Sequence, residues 1–203
     1  MVMIDLITGF LGSGKTTFLK KYAEYLMDQG LPIGILENDF GAINVDMLML
    51  HELRGDQCEL EMIAGGCDAE SHRRRFRTKL ISMRMCGYDR VLVEPSGIYD
   101  VDEFFDVLRE EPLDQWYEIG SVLTIVDARL EDILSPEANY VLASEAASAG
   151  CIVMSRTQEA SEEEQQNTIT HLNRALEHAK CSRRLELEHV VRKSWEELTD
   201  ADF

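Results

Sequence analysis

Along most of the chain, short apolar runs alternate with longer stretches in which apolar residues recur every three or four positions. The runs Val2–Thr8, Pro32–Glu37, Glu59–Ile63, Arg90–Glu94, Ser121–Asp127 and Cys151–Met154 read as strands. Lys15–Gln29 carries Phe18, Leu19, Tyr22, Ala23 and Leu26 at helical spacing and stops at Gly30. Further helices are predicted over Ala69–Met85, closed by Gly87, and over Ala138–Ala149. Ser161-Glu162-Glu163-Glu164 has the form of a capping box, so another helix should run from there to about His178. Leu185–Val191 reads as a last strand and Trp195–Leu198 as a turn. Strands alternating with helices imply βαβ units, hence an α/β fold: a three-layer sandwich whose mostly parallel central sheet is flanked by helices.

The break between the first strand and the first helix carries the clearest chemistry. Gly9-Phe10-Leu11-Gly12-Ser13-Gly14-Lys15-Thr16 fits the phosphate-loop pattern Gly-x4-Gly-Lys-Thr at every fixed position. Glycines let the backbone turn its N–H groups inward around a phosphate, and the following helix adds its positive N-terminal end. Lys15 is expected to reach the β- and γ-phosphates, and the Thr16 hydroxyl to ligate Mg²⁺. The sandwich is therefore expected to be of the P-loop NTPase kind.

Composition narrows the partners. The 203 residues suit one domain and carry a formal net charge of −18, from 38 acidic and 20 basic side chains. Such a surface repels nucleic acids and anionic membranes. No apolar run approaches the roughly 20 residues that span a bilayer. The N-terminus lacks a basic region and carries Asp5 inside its apolar run, so it does not read as a signal peptide, and the expected compartment is the cytoplasm. Cys58, Cys67, Cys86, Cys151 and Cys181 show neither zinc-ribbon spacing nor a disulfide framework.

A phosphate loop needs an acid at a neighbouring strand end, to hold Mg²⁺ or to position the attacking water. Glu94, at the end of Arg90–Glu94, stands in such a place, and Pro95-Ser96-Gly97 then turns the chain. The Gly97 N–H is a candidate γ-phosphate donor. Glu37-Asn38-Asp39-Phe40-Gly41 ends the second strand; Asp39 reads as a Mg²⁺-side residue and Glu37 as a ligand of a second metal, with a plain Asx-turn loop as the alternative.

Together, Gly9–Thr17, Glu37–Gly41, Gly65-Gly66-Cys67, Glu94–Gly97 and Val122–Ala128 resemble the CobW/HypB/UreG family of P-loop GTPases, closest to the CobW-like branch, over roughly residues 2–160. The resemblance implies GTP as ligand, Mg²⁺ as cofactor, hydrolysis of the β–γ bond, and a role in metal delivery to a metalloprotein client. It also implies contacts from Leu11, Gly12, Ser13, Gly14 and Thr17 to the nucleotide. Family members usually carry a C-terminal domain after the GTPase domain; a chain ending at Phe203 is expected to lack it or to be a truncated piece.

Two departures qualify these expectations. Where the CobW-like pattern has Cys-x-Cys-Cys, this chain has Cys67-Asp68-Ala69-Glu70. Cys67, Glu70 and Glu37 could form a mixed site for a transition metal such as Zn²⁺, or Cys67 is simply a small half-buried residue. At the base site, guanine-specific members have Asn-Lys-x-Asp, whereas this chain has Ser155-Arg156-Thr157-Gln158. An amide in place of the carboxylate should lower guanine preference by roughly ten-fold or more. The basic cluster His72-Arg73-Arg74-Arg75-Phe76-Arg77 reads either as a solvated helix face or as a group that approaches phosphate or an acidic partner. A small-molecule kinase, an ATPase and a non-catalytic nucleotide-gated adaptor stand as alternatives to the GTPase.

Overall fold

The computed structural model describes residues 1–39, 46–64, 68–97, 101–131 and 133–199, with the side chains of Asp39, Asp46, Met47 and Ala64 outside that description. The chain divides into two compact units. One gathers Met1–Ile7, Thr16–Ser96 and Asp102–Gly120; the other gathers Thr8–Lys15, Gly97–Val101 and Ser121–Phe203.

In chain order the first unit holds β1 (Val2–Thr8, its last residue apart), α1 (Lys15–Asp28, after Lys15), β2 (Ile33–Asp39), α2 (Asp46–Leu50), β3 (Cys58–Ala64), α3 (Ala69–Arg84), β4 (Arg90–Pro95), α4 (Val101–Leu108, after Val101), α5 (Leu113–Trp116) and the start of β5 (Tyr117–Asp127). Its strands lie in the order β3-β2-β4-β1, and each pair is parallel: Ile33 faces Cys58 and Arg90, and Met3 faces Arg90. Buried parallel strands read as continuous apolar runs, which is why these were visible in the sequence. α3 starts at Asp68, whose carboxylate accepts from the Ser71 N–H at 2.7 Å, and buries His72, Phe76, Leu80 and Met83 along one stripe. Asp5 breaks the apolar run of β1. It is fully buried and accepts from Arg90 at 2.8 Å and from the Tyr22 hydroxyl at 3.0 Å, so its charge is compensated.

The second unit holds the rest of β5, then α6 (Pro136–Ser148), β6 (Cys151–Ser155), α7 (Glu162–His178) and β7 (Val190–Val191). β5, β6 and β7 follow one another in parallel, with Leu123 facing Cys151 and Ile152 facing Val190. Their core gathers Val126, Leu142, Ala146, Ile152, Met154, Ile169, Leu172 and Leu176. Both helices are capped as their sequences require. Ser135 accepts from the Ala138 N–H ahead of Pro136, and Ser161 and Glu164 form the reciprocal capping box.

The α/β, parallel-stranded P-loop NTPase architecture expected from the sequence is what the chain adopts. The last expected strand is shorter: Leu187–His189 is a 3-10 turn and only Val190–Val191 pairs with β6. The reason lies in Asn173 on α7. Its side chain takes the backbone of Leu185 at both ends, accepting from its N–H at 2.9 Å and donating to its carbonyl at 2.8 Å.

Candidate functional site

Thr8–Lys15 forms the loop that joins β1 to α1. Gly12 and Gly14 adopt φ of +75° and +94°, a region that side chains disfavour. Gly9 is confined by neighbours: a Cβ there would lie 2.2 Å from the Ile125 carbonyl oxygen. The Gly9 N–H donates to Glu145 Oε1 at 3.2 Å and the Ser13 N–H to the Phe10 carbonyl at 3.1 Å. Among the described residues, the N–H groups of Leu11, Gly12 and Gly14 find no acceptor, and the buried Ser13 hydroxyl has no partner. Lys15 is only 8% exposed, yet it forms no hydrogen bond or ion pair among the described residues. Lys15, beside these donors and at the N-terminus of a 14-residue helix, makes this a place suited to bind an anion.

Other segments of the same unit close on this loop. A Cβ on Gly97 would lie 2.7 Å from the Leu11 nitrogen, so the chain after β4 passes directly against the loop. Arg156 adopts φ +53°; its guanidinium pairs with the Asp127 carboxylate and donates to the Gly12 carbonyl at 3.0 Å. Ser155 is buried and donates to the Val126 carbonyl at 3.4 Å, while Gln158 is exposed on the turn Thr157–Glu159. Beneath the loop, Glu145 of α6 is fully buried and its Oε1 also accepts from the Thr8 hydroxyl at 2.9 Å. Its Oε2 has no partner among the described residues. Burial pushes the Glu145 carboxyl up to about 7, against the Thr8 hydroxyl, the Lys15 charge and the Gly9 N–H, all of which favour the ionised form.

In the first unit the Thr16 hydroxyl donates to Glu94 Oε1 at 2.7 Å, both residues being buried. Glu37 and Glu94 stand opposite one another in the β2–β4 register and are both buried. One hydroxyl and two carboxylates are hard oxygen donors, the set that suits Mg²⁺. Thr17 is exposed on α1. Asp39 closes β2, but its side chain lies outside the described residues, as does Cys67. Glu70 sits exposed in the first turn of α3, and no cluster of three or more His, Cys, Asp or Glu able to hold a metal occurs among the described residues. Two arginines of the basic cluster, and Lys79 just beyond it, are engaged within the unit. Glu110 takes Arg73 at 2.7 Å and Arg77 at 3.0 Å, and Lys79 pairs with Glu61 at 2.8 Å.

With this geometry in place, the sequence profile of the CobW/HypB/UreG nucleotide-binding domain matches residues 3–183. The chain belongs to that family. As a CobW/HypB/UreG domain it is 29% identical to the zinc chaperone YeiR of Escherichia coli (strain K12) over 167 residues, 82% of this chain and 50% of YeiR. It is 31% identical to the zinc chaperone YjiA of the same organism over 139 residues, 63% of this chain and 41% of YjiA. The chain thus spans about half the length, or less, of these curated relatives. Among solved structures, the signal recognition particle receptor FtsY from Elizabethkingia anophelis in complex with GDP superposes with a TM-score of 0.57 at 14% identity, covering 84% of this chain and 54% of FtsY. That likeness is one of fold.

Three residues around the CobW/HypB/UreG phosphate loop went unread in the sequence. Glu145 could have been found, because it interrupts the apolar face of Leu142, Ala143, Ala146 and Ala149 with an acid. Asp127 lay inside a recognised segment, but only the fold pairs it with Arg156. Trp195, which abuts Gly14, had no signal beyond a turn.

Proposed function

We propose that this domain binds GTP with Mg²⁺ and hydrolyses its β–γ bond, as the nucleotide-driven part of a protein that delivers metal to a metalloprotein client. The observation that carries the reading is Lys15, only 8% exposed, beside the Ser13 hydroxyl and the backbone N–H groups of Leu11, Gly12 and Gly14, which find no acceptor among the described residues. Membership of the CobW/HypB/UreG family and the likeness to zinc chaperones support it.

In this mechanism Lys15 and the amides of Leu11, Gly12 and Gly14 hold the β- and γ-phosphate oxygens and stabilise the charge that develops as the bond breaks. Thr16 and Glu94, with Glu37 beside them, would hold Mg²⁺, which neutralises phosphate charge when bound. Glu94, with Asp39 as the second candidate acid, orients a water whose oxygen attacks the γ-phosphorus. The bond from γ-phosphorus to the bridging oxygen breaks, and its electron pair stays on GDP. Ser155, Arg156 and Gln158 serve the base, and Gly97 reports the γ-phosphate. Any transition metal cargo would call on Glu37, Cys67 and Glu70. The chain acts as one nucleotide-binding domain, in the cytoplasm. The pairing of Arg73 and Arg77 with Glu110 speaks against their forming the arginine-rich lid of a small-molecule kinase.

Phosphate release from GTP tests the reading. Release should require Mg²⁺ and no added acceptor, and Glu94→Gln should lower it at least 100-fold. Turnover that survives Glu94→Gln, or that requires an acceptor substrate, would contradict it.

A further inference from the structure

We propose that Trp195 forms the wall of the nucleoside end of this site and takes the purine base against its indole ring, a contact indifferent to which purine is bound. The inference rests on the nucleotide reading above and identifies what replaces the missing carboxylate of the base motif.

β7 runs parallel to β6 with Val191 opposite Val153, so the chain leaving β7 emerges at the strand-end edge where β6 delivers Ser155 and Arg156. Ligands of open α/β sheets bind along that edge. Ser194 then turns the chain extended, and Trp195–Glu197 forms a single 3-10 turn, with the Ser194 hydroxyl bonded to Glu196. This brings the indole onto the loop. A Cβ on Gly14 would lie 3.1 Å from Trp195 Cη2, 3.9 Å from Cζ3 and 3.8 Å from Ser155 Cβ. Gly14, Ser155 and Trp195 therefore converge beside the peptide that leads into Lys15.

The chemistry of the ring follows from its anchoring. Trp195 Nε1 donates to the Met154 carbonyl at 3.3 Å, so its polar tip is satisfied by β6. Trp195 is half-buried, and its ring atoms Cη2 and Cζ3 lie toward Gly14. An indole presents a large rigid face with little conformational freedom to lose, and stacking on aromatic rings tolerates any base. Arg156 fixes Gly12 through its carbonyl while Trp195 abuts Gly14, so two side chains from successive strand ends grip the loop two residues apart. Gln158, an exposed amide, adds little discrimination of its own. An aromatic wall with no carboxylate predicts purine binding with weak selection of guanine.

The chain has two tryptophans, so Trp116→Phe leaves Trp195 as the sole indole fluorophore. In Mg²⁺, GTP and ATP should both quench its emission, and inorganic triphosphate should not. By calorimetry, Trp195→Ala should weaken GTP and ATP each by roughly ten-fold while leaving triphosphate affinity unchanged, and Trp195→Phe should restore most of the loss. Unquenched emission while GTP binds would overturn the inference. So would an equal loss for triphosphate in Trp195→Ala, since the ring would then merely prop the loop. If the wild type binds no triphosphate at all, the nucleotide reading fails first and the inference falls with it.

Discussion

Replacing Glu145 with glutamine isolates one charge beneath the phosphate loop and predicts its effect as a function of pH. The carboxyl is fully buried, and burial raises it from 4.5 to about 7. An acid whose folded value is raised holds its proton more tightly in the folded chain. It therefore costs no stability below the unfolded value, destabilises progressively as pH rises from 4.5 to about 7, and carries its full cost above that. The displacement corresponds to about 3 kcal/mol, of which about 2 kcal/mol falls between pH 5.5 and 8. Glutamine mimics the protonated acid: its carbonyl still accepts from Thr8 and Gly9, and it cannot ionise. Thermal unfolding of the nucleotide-free wild type and Glu145→Gln, followed by circular dichroism across this range, reads the effect directly. The variant's melting advantage should grow by about 4–8 °C from pH 5.5 to 8, since 1 kcal/mol moves a domain of this size by about 2–4 °C. Glu145→Ala should lose stability at every pH, because the Thr8 hydroxyl and the Gly9 N–H lose their shared acceptor at about 1–3 kcal/mol each. A difference between wild type and Glu145→Gln that stays flat from pH 5.5 to 8 would refute the reasoning.

Three further outcomes separate binding from folding. Gly97→Ala puts a methyl 2.7 Å from the Leu11 nitrogen and should weaken a fluorescent GTP analogue by about ten-fold with little change in melting temperature. Arg156→Ala releases Gly12 and Asp127 and should speed nucleotide dissociation in stopped flow by roughly five- to ten-fold, since the lost contacts are charge-assisted but part-exposed. Asp5→Ala removes the buried acceptor of Arg90 and of the Tyr22 hydroxyl and should cost about 1–3 kcal/mol in urea unfolding, with nucleotide affinity of the folded protein unchanged.

How far the sequence could be read depended on whether the decisive interaction was local. β1 and the helix ending at His178 matched their expected limits because a continuous buried run and a capping box are written in adjacent residues. The segment Val101–Leu108 was not recognised. Eight residues give barely two turns, too short for a 3.6 period to stand out. β5 begins at Tyr117, four residues before its apolar run, because Glu118 and Ile119 at its front are exposed. Within the candidate site, the glycines, Lys15 and Glu94 could be singled out by spacing alone. The Glu145 support, the Asp127–Arg156 pair and the Trp195 wall each join residues far apart in the chain, so only the fold assembles them.

The claim on which everything else depends is that Gly9–Thr16 holds the phosphates of GTP through Lys15. Calorimetric titration of the wild type and Lys15→Ala with GTP and ATP in Mg²⁺ tests it most directly. The account predicts tight GTP binding, ATP binding weaker by only a small factor, and a loss of at least 100-fold for both in Lys15→Ala. Unchanged affinity in that variant would contradict the phosphate site itself, and a clear preference for ATP would contradict the assignment of GTP.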